Sequence, residues 1–291
     1  MLTGAILAGL VFGLYFTLVG LGLNLVFGVM RIVNLAHGDF LMLGAFAAYW
    51  LFTLFGIHPL AASIVVVVLF VLIGLPLYYL VVPRLQLARD AEMFSIILFF
   101  GLSQMIQAAA SIAFGSTERS IPGRVLGIGP VHVLGQRLPS SWVFSGAVSA
   151  VAVALIYLYL YRTRLGRLTR AVMVSREESL ASGIDVDRVS AIAFGIGLSL
   201  AGLAGVFAPF MLGSVTPAIG VDINIAAFAV IIVGTLGNPL GTLLGGIIYG
   251  VSLMLMQTYL SSWANLLPNL LLIGALLLRP EGLFGRQARR V

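Results

Sequence analysis

Apolar residues run in long stretches along this chain, separated by short clusters of arginine, glycine, proline and amides. A helix needs roughly 20 apolar residues to cross about 30 Å of hydrocarbon. Six stretches approach or exceed that length: residues 5–29, 35–55, 61–82, 93–114, 142–161 and 189–212. Gly56 and Pro59 stop the second, and Pro83 ends the third. Three more crowd the remainder, at 222–235, 240–260 and 263–278. The seventh is short for a crossing and reads as a half-helix. The pattern predicts an all-α, polytopic membrane protein with about eight to ten transmembrane or half-membrane helices.

The spacing of arginine orients these spans. With the N-terminus outside, Arg31, the Arg84/Arg89 loop, the loop 162–188 and the tail 279–290 fall on the cytoplasmic side. Only Arg119, Arg124 and Arg137 lie opposite, so thirteen of the sixteen arginines obey the positive-inside rule. Nine crossings then leave the C-terminus cytoplasmic. The N-terminal MLTGAILAGL lacks a basic leader, so the first stretch reads as a retained span. The whole of 1–291 reads as a single transmembrane domain.

Composition agrees: 60% of the 291 residues are hydrophobic and 9% charged, against about 25% charged in soluble domains. The net charge of +6 would suit nucleic acid, but the arginines occupy short loops where membrane topology accounts for them. Every basic residue is arginine, and no function attaches to that. Cysteine is absent, which excludes disulfides, thiol catalysis and thiolate metal sites.

Two loops have structure of their own. The stretch 115–141, rich in glycine, proline and β-branched residues, reads as a short extended hairpin or lid outside the membrane. The stretch 162–188 contains Ser175 and Glu178, an S-x-x-E capping box, and Gly183 as a left-handed terminator. Between them lies a helix of about seven residues. Taken alone, it either joins two spans or docks into a groove on another protein. Arg162, Arg164 and Arg167 read as topology and headgroup anchors.

Polar residues also enter the membrane. Asn34, His37 and Asp39 join the first two spans without a real loop, with Asn34 placed to cap the second helix. Backbone breaks at depth need protein or a water-filled cavity to satisfy their freed groups. These residues either hydrogen-bond to one another and to neighbouring helices, or touch substrate or a gate. A metal or hydrolase reading fails, because His58 and His132 sit at outer loops and no nucleophile–base set converges. Gly237-Asn-Pro-Leu-Gly241 followed by Gly245, Gly246 and Gly250 reads as a break at Asn238-Pro239 leading into a small-residue packing stripe, like Gly9/Gly13 and the surroundings of Gly202. Asn24, Gln104, Gln107, Asp222, Asn224 and Asn269 are further polar residues in spans. The two breaks, near 34–44 and 234–246, suggest an internal repeat without residue-by-residue identity.

The string RIVNLAHGDFLMLGAFAAY resembles the signature of permease subunits in branched-chain amino acid ABC importers of the LivH type. The segments LGRLTRAVMVSREESLASGIDVDRVSAIAFGIGLSLAGLAGV, IIVGTLGNPLGTLLGGIIYGV and LLLRPEGLFG resemble the same family, in order and over nearly the whole chain. The departures are Asp39 where Glu is common, and Gly234-Thr235 where a Gly-Gly pair is frequent.

The resemblance implies a transport subunit of a bacterial inner membrane with no catalytic site, metal or cofactor. ATP would be used by two cytoplasmic ATPase subunits. A substrate-binding protein would deliver the ligand, and a second, related permease would complete a heterodimer. It also implies a coupling role for the loop helix, with Arg170, Ser175, Arg176, Glu177, Glu178, Ala181 and Gly183 on the matching stretch. Asn24, Asn34, His37, Asp39, Asn224 and Asn238 become pathway or gating candidates, and Gly237, Gly241 and Gly245 helix-packing positions. Related permeases serve urea and short amides, which leaves that substrate class as an alternative. A secondary transporter would instead need an ion-coupling carboxylate, for which Asp39, Asp222 and Glu92 are the candidates.

Overall fold

A computed structural model describes residues 1–279, 282 and 283. Arg286, Arg289 and Arg290 of the basic tail lie outside the described residues. Eleven α-helices follow in order: α1 Leu2–Met30, α2 His37–Phe55, α3 Pro59–Gln86, α4 Ala91–Phe114, α5 Ser140–Arg162, α6 Arg164–Val174, α7 Arg176–Ala181, α8 Val186–Leu212, α9 Ile219–Gly234, α10 Pro239–Tyr259 and α11 Leu267–Leu278. A short 3-10 turn, Ser261–Leu266, leads into α11. Among the described residues, eight helical segments are long and apolar enough to span a membrane, counting 261–278 as one. The ninth apolar helix, α9, has 16 residues and measures about 24 Å, short of a full crossing. The half-helix expectation thus holds.

The helices α1 and α8 are the most buried and form the centre. They close against each other at Gly22 and Gly197, where a Cβ on either would meet the other's backbone within 3 Å. Around α1 stand α5, α9 and α10; around α8 stand α2 and α3. The helix α4 stands at the edge beside α2 and α3, and α11 against α9.

Glycine sets the closeness of α10. A Cβ at Gly241 or Gly245 would overlap the carbonyl oxygen of Gly234 or Val230 on α9, and one at Gly246 or Gly250 would overlap Thr17 or Gly13 on α1. In lipid, where no hydrophobic force brings helices together, this backbone proximity supplies the dispersion contact. Gly237, expected on the same stripe, instead lies in the turn ahead of α10. Its φ of +74° suits glycine, and the stripe begins only at Gly241.

Three expected boundaries differ. The helix α2 begins at His37, not residue 35, because 31–36 runs as an irregular strand of chain. The helix α3 continues through Pro83 to Gln86. A single proline removes one bond, and neighbouring helices make that tolerable in a span. The loop 162–188 holds two helices rather than one. The missed α6 is capped by Thr163, whose Oγ1 accepts from the Gly166 N–H at 2.9 Å.

The loop between α4 and α5 carries the expected hairpin, β1 Pro130–Val133 paired antiparallel with β2 Gln136–Pro139. Leu134 and Gly135, both at positive φ, form its two-residue turn. Arg119 fastens this side of the molecule. Its guanidinium lies 5.6 Å from the Tyr49 ring and 5.8 Å from the Trp50 ring, and its backbone bridges to Val215.

Candidate functional site

The first break enters the membrane deeply. The His37 Nε2 lies 3.1 Å from the carbonyl oxygen of Val19, so that nitrogen carries the proton of the hydrogen bond. Val19 stands eleven residues before the end of α1, about 16 Å along the helix. That is half of a hydrocarbon core of about 30 Å. The segment 31–36 therefore climbs back to mid-depth before α2 starts.

Three of the freed backbone groups on that climb find a side chain. The Val33 N–H donates to Ser95 Oγ on α4 at 3.1 Å. The Ala36 N–H donates to Asn34 Oδ1 at 3.0 Å. Asn224 Nδ2 on α9 donates to the Leu35 carbonyl at 2.6 Å. Asn34 thus closes a turn ahead of α2; the N-cap position itself is Ala36, with no side-chain cap.

The N-terminus of α9 meets the N-terminus of α2 at this level. A Cβ on Gly38 would overlap the Gly220 carbonyl oxygen, and one on Gly220 would overlap the Asp39 carboxylate. From this contact α2 runs toward the hairpin, where Phe46 stacks on Phe114 at 4.9 Å. The helix α9 runs the opposite way, toward the end of α1. Two helix N-termini, both positive dipole ends, converge on one buried carboxylate. The buried Asp39 also faces Ser103 and Gln107 of α4. Neither of its oxygens makes a hydrogen bond of ordinary geometry. His37 Nδ1, Asn34 Nδ2 and Asn224 Oδ1 are likewise buried without partners. His37, Asn34 and Asp39 therefore share a depth, but their side chains do not bond to one another.

The second break, 235–238, is held from α1. Asn24 Nδ2 donates to Thr242 Oγ1 at 2.6 Å, and Asn24 Oδ1 accepts the Gly237 N–H at 2.6 Å. Asn238 caps α10, its Oδ1 accepting from the Gly241 N–H at 3.3 Å, with Pro239 at the first helical position. Sequence reasoning placed Asn24 and Asn238 with the first-break residues; the fold separates them into a second group.

The loop helices form a third. Ser175 caps α7, its Oγ accepting from the Glu178 N–H at 3.2 Å. The far end closes as a Schellman motif, with Ile184 N–H donating to Ser179 O and Gly183 N–H to Leu180 O, both at 3.0 Å. Arg176 points inward. It donates to Gln86 Oε1 at the end of α3 at 2.8 Å and to Asp187 Oδ1 at the start of α8 at 3.5 Å. Arg170 turns back onto α5, donating to the Leu160 carbonyl at 3.0 Å and lying 4.4 Å from the Tyr161 ring centre. Glu177, Glu178, Ala181 and Ser182 are exposed, as are Val174 at 79% and Leu180 at 54%. No group of three or more metal-ligating side chains occurs among the described residues.

Apolar helices broken at two places, one of them at mid-depth, with polar side chains holding both breaks, are the pattern of a membrane transport protein. The comparisons give its family. Residues 5–277 match the family described as branched-chain amino acid transport system, permease component, and the chain belongs to it. The chain is similar to the high-affinity branched-chain amino acid transport system permease protein LivH of Salmonella typhimurium, 26% identical over 96% of this chain and 94% of that one. It is similar to BraD of Pseudomonas aeruginosa, 28% identical over 96% and 94%. A probable LivH of Methanocaldococcus jannaschii is 30% identical over 92% and 88%. No solved structure matches. The protein is thus the multi-pass permease component of an ABC transport system, a subunit type without catalytic activity or cofactor, working with ATPase and binding-protein partners.

Proposed function

We propose that this chain passes branched-chain amino acids across the membrane as one half of a permease heterodimer. The chain forms a single transmembrane domain, with the hairpin loop 115–141 outside and the loop 162–188 cytoplasmic. A substrate-binding protein docks on the hairpin side. Two ATPases dock on the α6–α7 side, and closure of the ATPases drives alternating access.

The observation that carries this reading is the position of Arg176. A six-residue helix capped at both ends offers Glu177, Glu178, Leu180 and Ala181 outward, while its first residue is tied inward to α3 and α8. A push on α7 is therefore delivered to the ends of two spans, one of them central. Ser175 and Gly183 fix the helix length, and Arg170 fixes α6 beneath it. The four residues at the first break, Asn34, His37, Asp39 and Asn224, are the gating set. Asn24 and Asn238 hold the second break, and Gly241 and Gly245 its packing.

The test is leucine uptake into proteoliposomes holding the complete complex, with liganded binding protein and ATP. Uptake that persists after deletion of residues 176–183 removes the coupling assignment. Uptake of urea or a short amide in place of leucine moves the substrate to that class.

A further inference from the structure

Asp222 is an acidic residue of an apolar helix that is not buried among the helices. It lies in the first turn of α9 and is exposed. It lines a cavity of about 380 Å³ between α1, α9, α10 and the turn into α11. Phe16, which lines the same cavity, is the midpoint of α1 and packs 4.6 Å from the Tyr249 ring. The floor of the cavity is therefore near the centre of the bilayer. From there it extends to Gln257 at the hairpin-side end of α10.

A carboxylate at that depth is costly against lipid and faces a bundle interior or water. No cation among the described residues pairs with it. The lining contains no arginine or histidine, and the one ion pair among the described residues is Arg176–Asp187. The remaining polar lining is neutral: the amides of Gln257, Asn265 and Asn269, and the Tyr249 phenol. The rest is chiefly apolar, with Phe16, Ile223 and Leu253.

We propose that this cavity is an amino-acid subsite of the pathway, open toward the hairpin side. Asp222 takes the substrate ammonium group. The side-chain amides, chiefly Asn269 and Asn265, donate to the substrate carboxylate. The apolar wall receives an uncharged aliphatic side chain. One anionic group, several neutral donors and an apolar wall match a zwitterion with an aliphatic tail, and the volume is that of a small-molecule site. The second permease then covers this face of α9, α10 and α11 and closes the pathway. The proposal rests on the transport reading above and adds a location and a chemistry to it.

The natural absence of cysteine makes the test direct. In the complete complex, Asn269→Cys is reacted with membrane-impermeant methanethiosulfonates of opposite charge. The cationic reagent is expected to react at least about tenfold faster than the anionic one, with the preference lost in Asn269→Cys/Asp222→Asn. An unreactive cysteine, or one without charge preference, overturns a water-filled anionic site. In parallel, Asp222→Asn is expected to lower leucine uptake at least about tenfold while ATPase stimulation by liganded binding protein persists. Uptake within twofold of the parent overturns ammonium recognition. A parent complex without any such stimulation instead removes the transport reading, leaving the labelling result to judge the cavity.

Discussion

Asn24 and Thr242, more than two hundred residues apart, are joined by a 2.6 Å hydrogen bond from the asparagine amide to the threonine hydroxyl. The oxygen of the same amide accepts the Gly237 N–H, so one side chain on an unbroken helix satisfies both the turn and the first turn of the helix that follows. Replacement by leucine keeps the volume and strands a buried donor. The expected loss is about 1–3 kcal/mol, nearer the lower end in a membrane. Thermal unfolding of the purified Asn24→Leu protein checks this, and an unchanged midpoint would show that the stitch is dispensable.

The glycines divide into close-contact and open positions. Gly245→Ala drives a methyl into the Val230 carbonyl and is expected to destabilise by about 1–3 kcal/mol. Gly101→Ala, with nothing within 4 Å, is expected to be neutral or to stabilise by up to about 1 kcal/mol through helix propensity. The pair is compared by the yield of monodisperse protein after heating. Equal behaviour contradicts the packing account.

The cap on α7 is separable from its surface. Ser175→Ala removes the acceptor for the Glu178 N–H and costs about 1 kcal/mol locally. Hydrogen exchange over residues 176–181 is expected to quicken roughly fivefold, while exchange in α8 stays as it was. Uniform quickening across both helices would mean that α7 has no independent stability.

Arg176→Ala cuts the bonds to Gln86 and Asp187 and leaves the exposed face of α7 in place. ATPase subunits should still co-purify with the variant complex. Leucine delivered per ATP hydrolysed should fall by about tenfold, within the usual range of coupling free energies. Loss of the ATPases from the complex would place Arg176 in the docking surface instead.

Much of this was legible in the sequence because lipid imposes a simple rule of length. The nine apolar stretches, the hairpin and the Ser175-to-Gly183 helix follow from span length, turn residues and capping residues. Depth did not follow. The string around Asn34, His37 and Asp39 announces a break, but only the Val19 contact shows that it reaches the bilayer centre. The helix α6 was masked by its arginines, which read as topology, although Leu165, Leu168 and Val172 recur at helical spacing after a Thr163 cap. The polar residues of the spans could not be ranked because their partners are distant in sequence. Asn24 meets Thr242, Asn224 meets Leu35, and Asp222 stands out only once the cavity that it lines is seen.

The meeting of α2 and α9 at Gly38 and Gly220 has a mechanical consequence. Two rods leave one point in opposite directions, their backbones in near contact at two glycines. If one rod tilts with the other about that point, their free ends swing to opposite sides on opposite faces of the bilayer. An opening at one surface is then geometrically tied to a closing at the other, as in a seesaw with its fulcrum where water is scarcest.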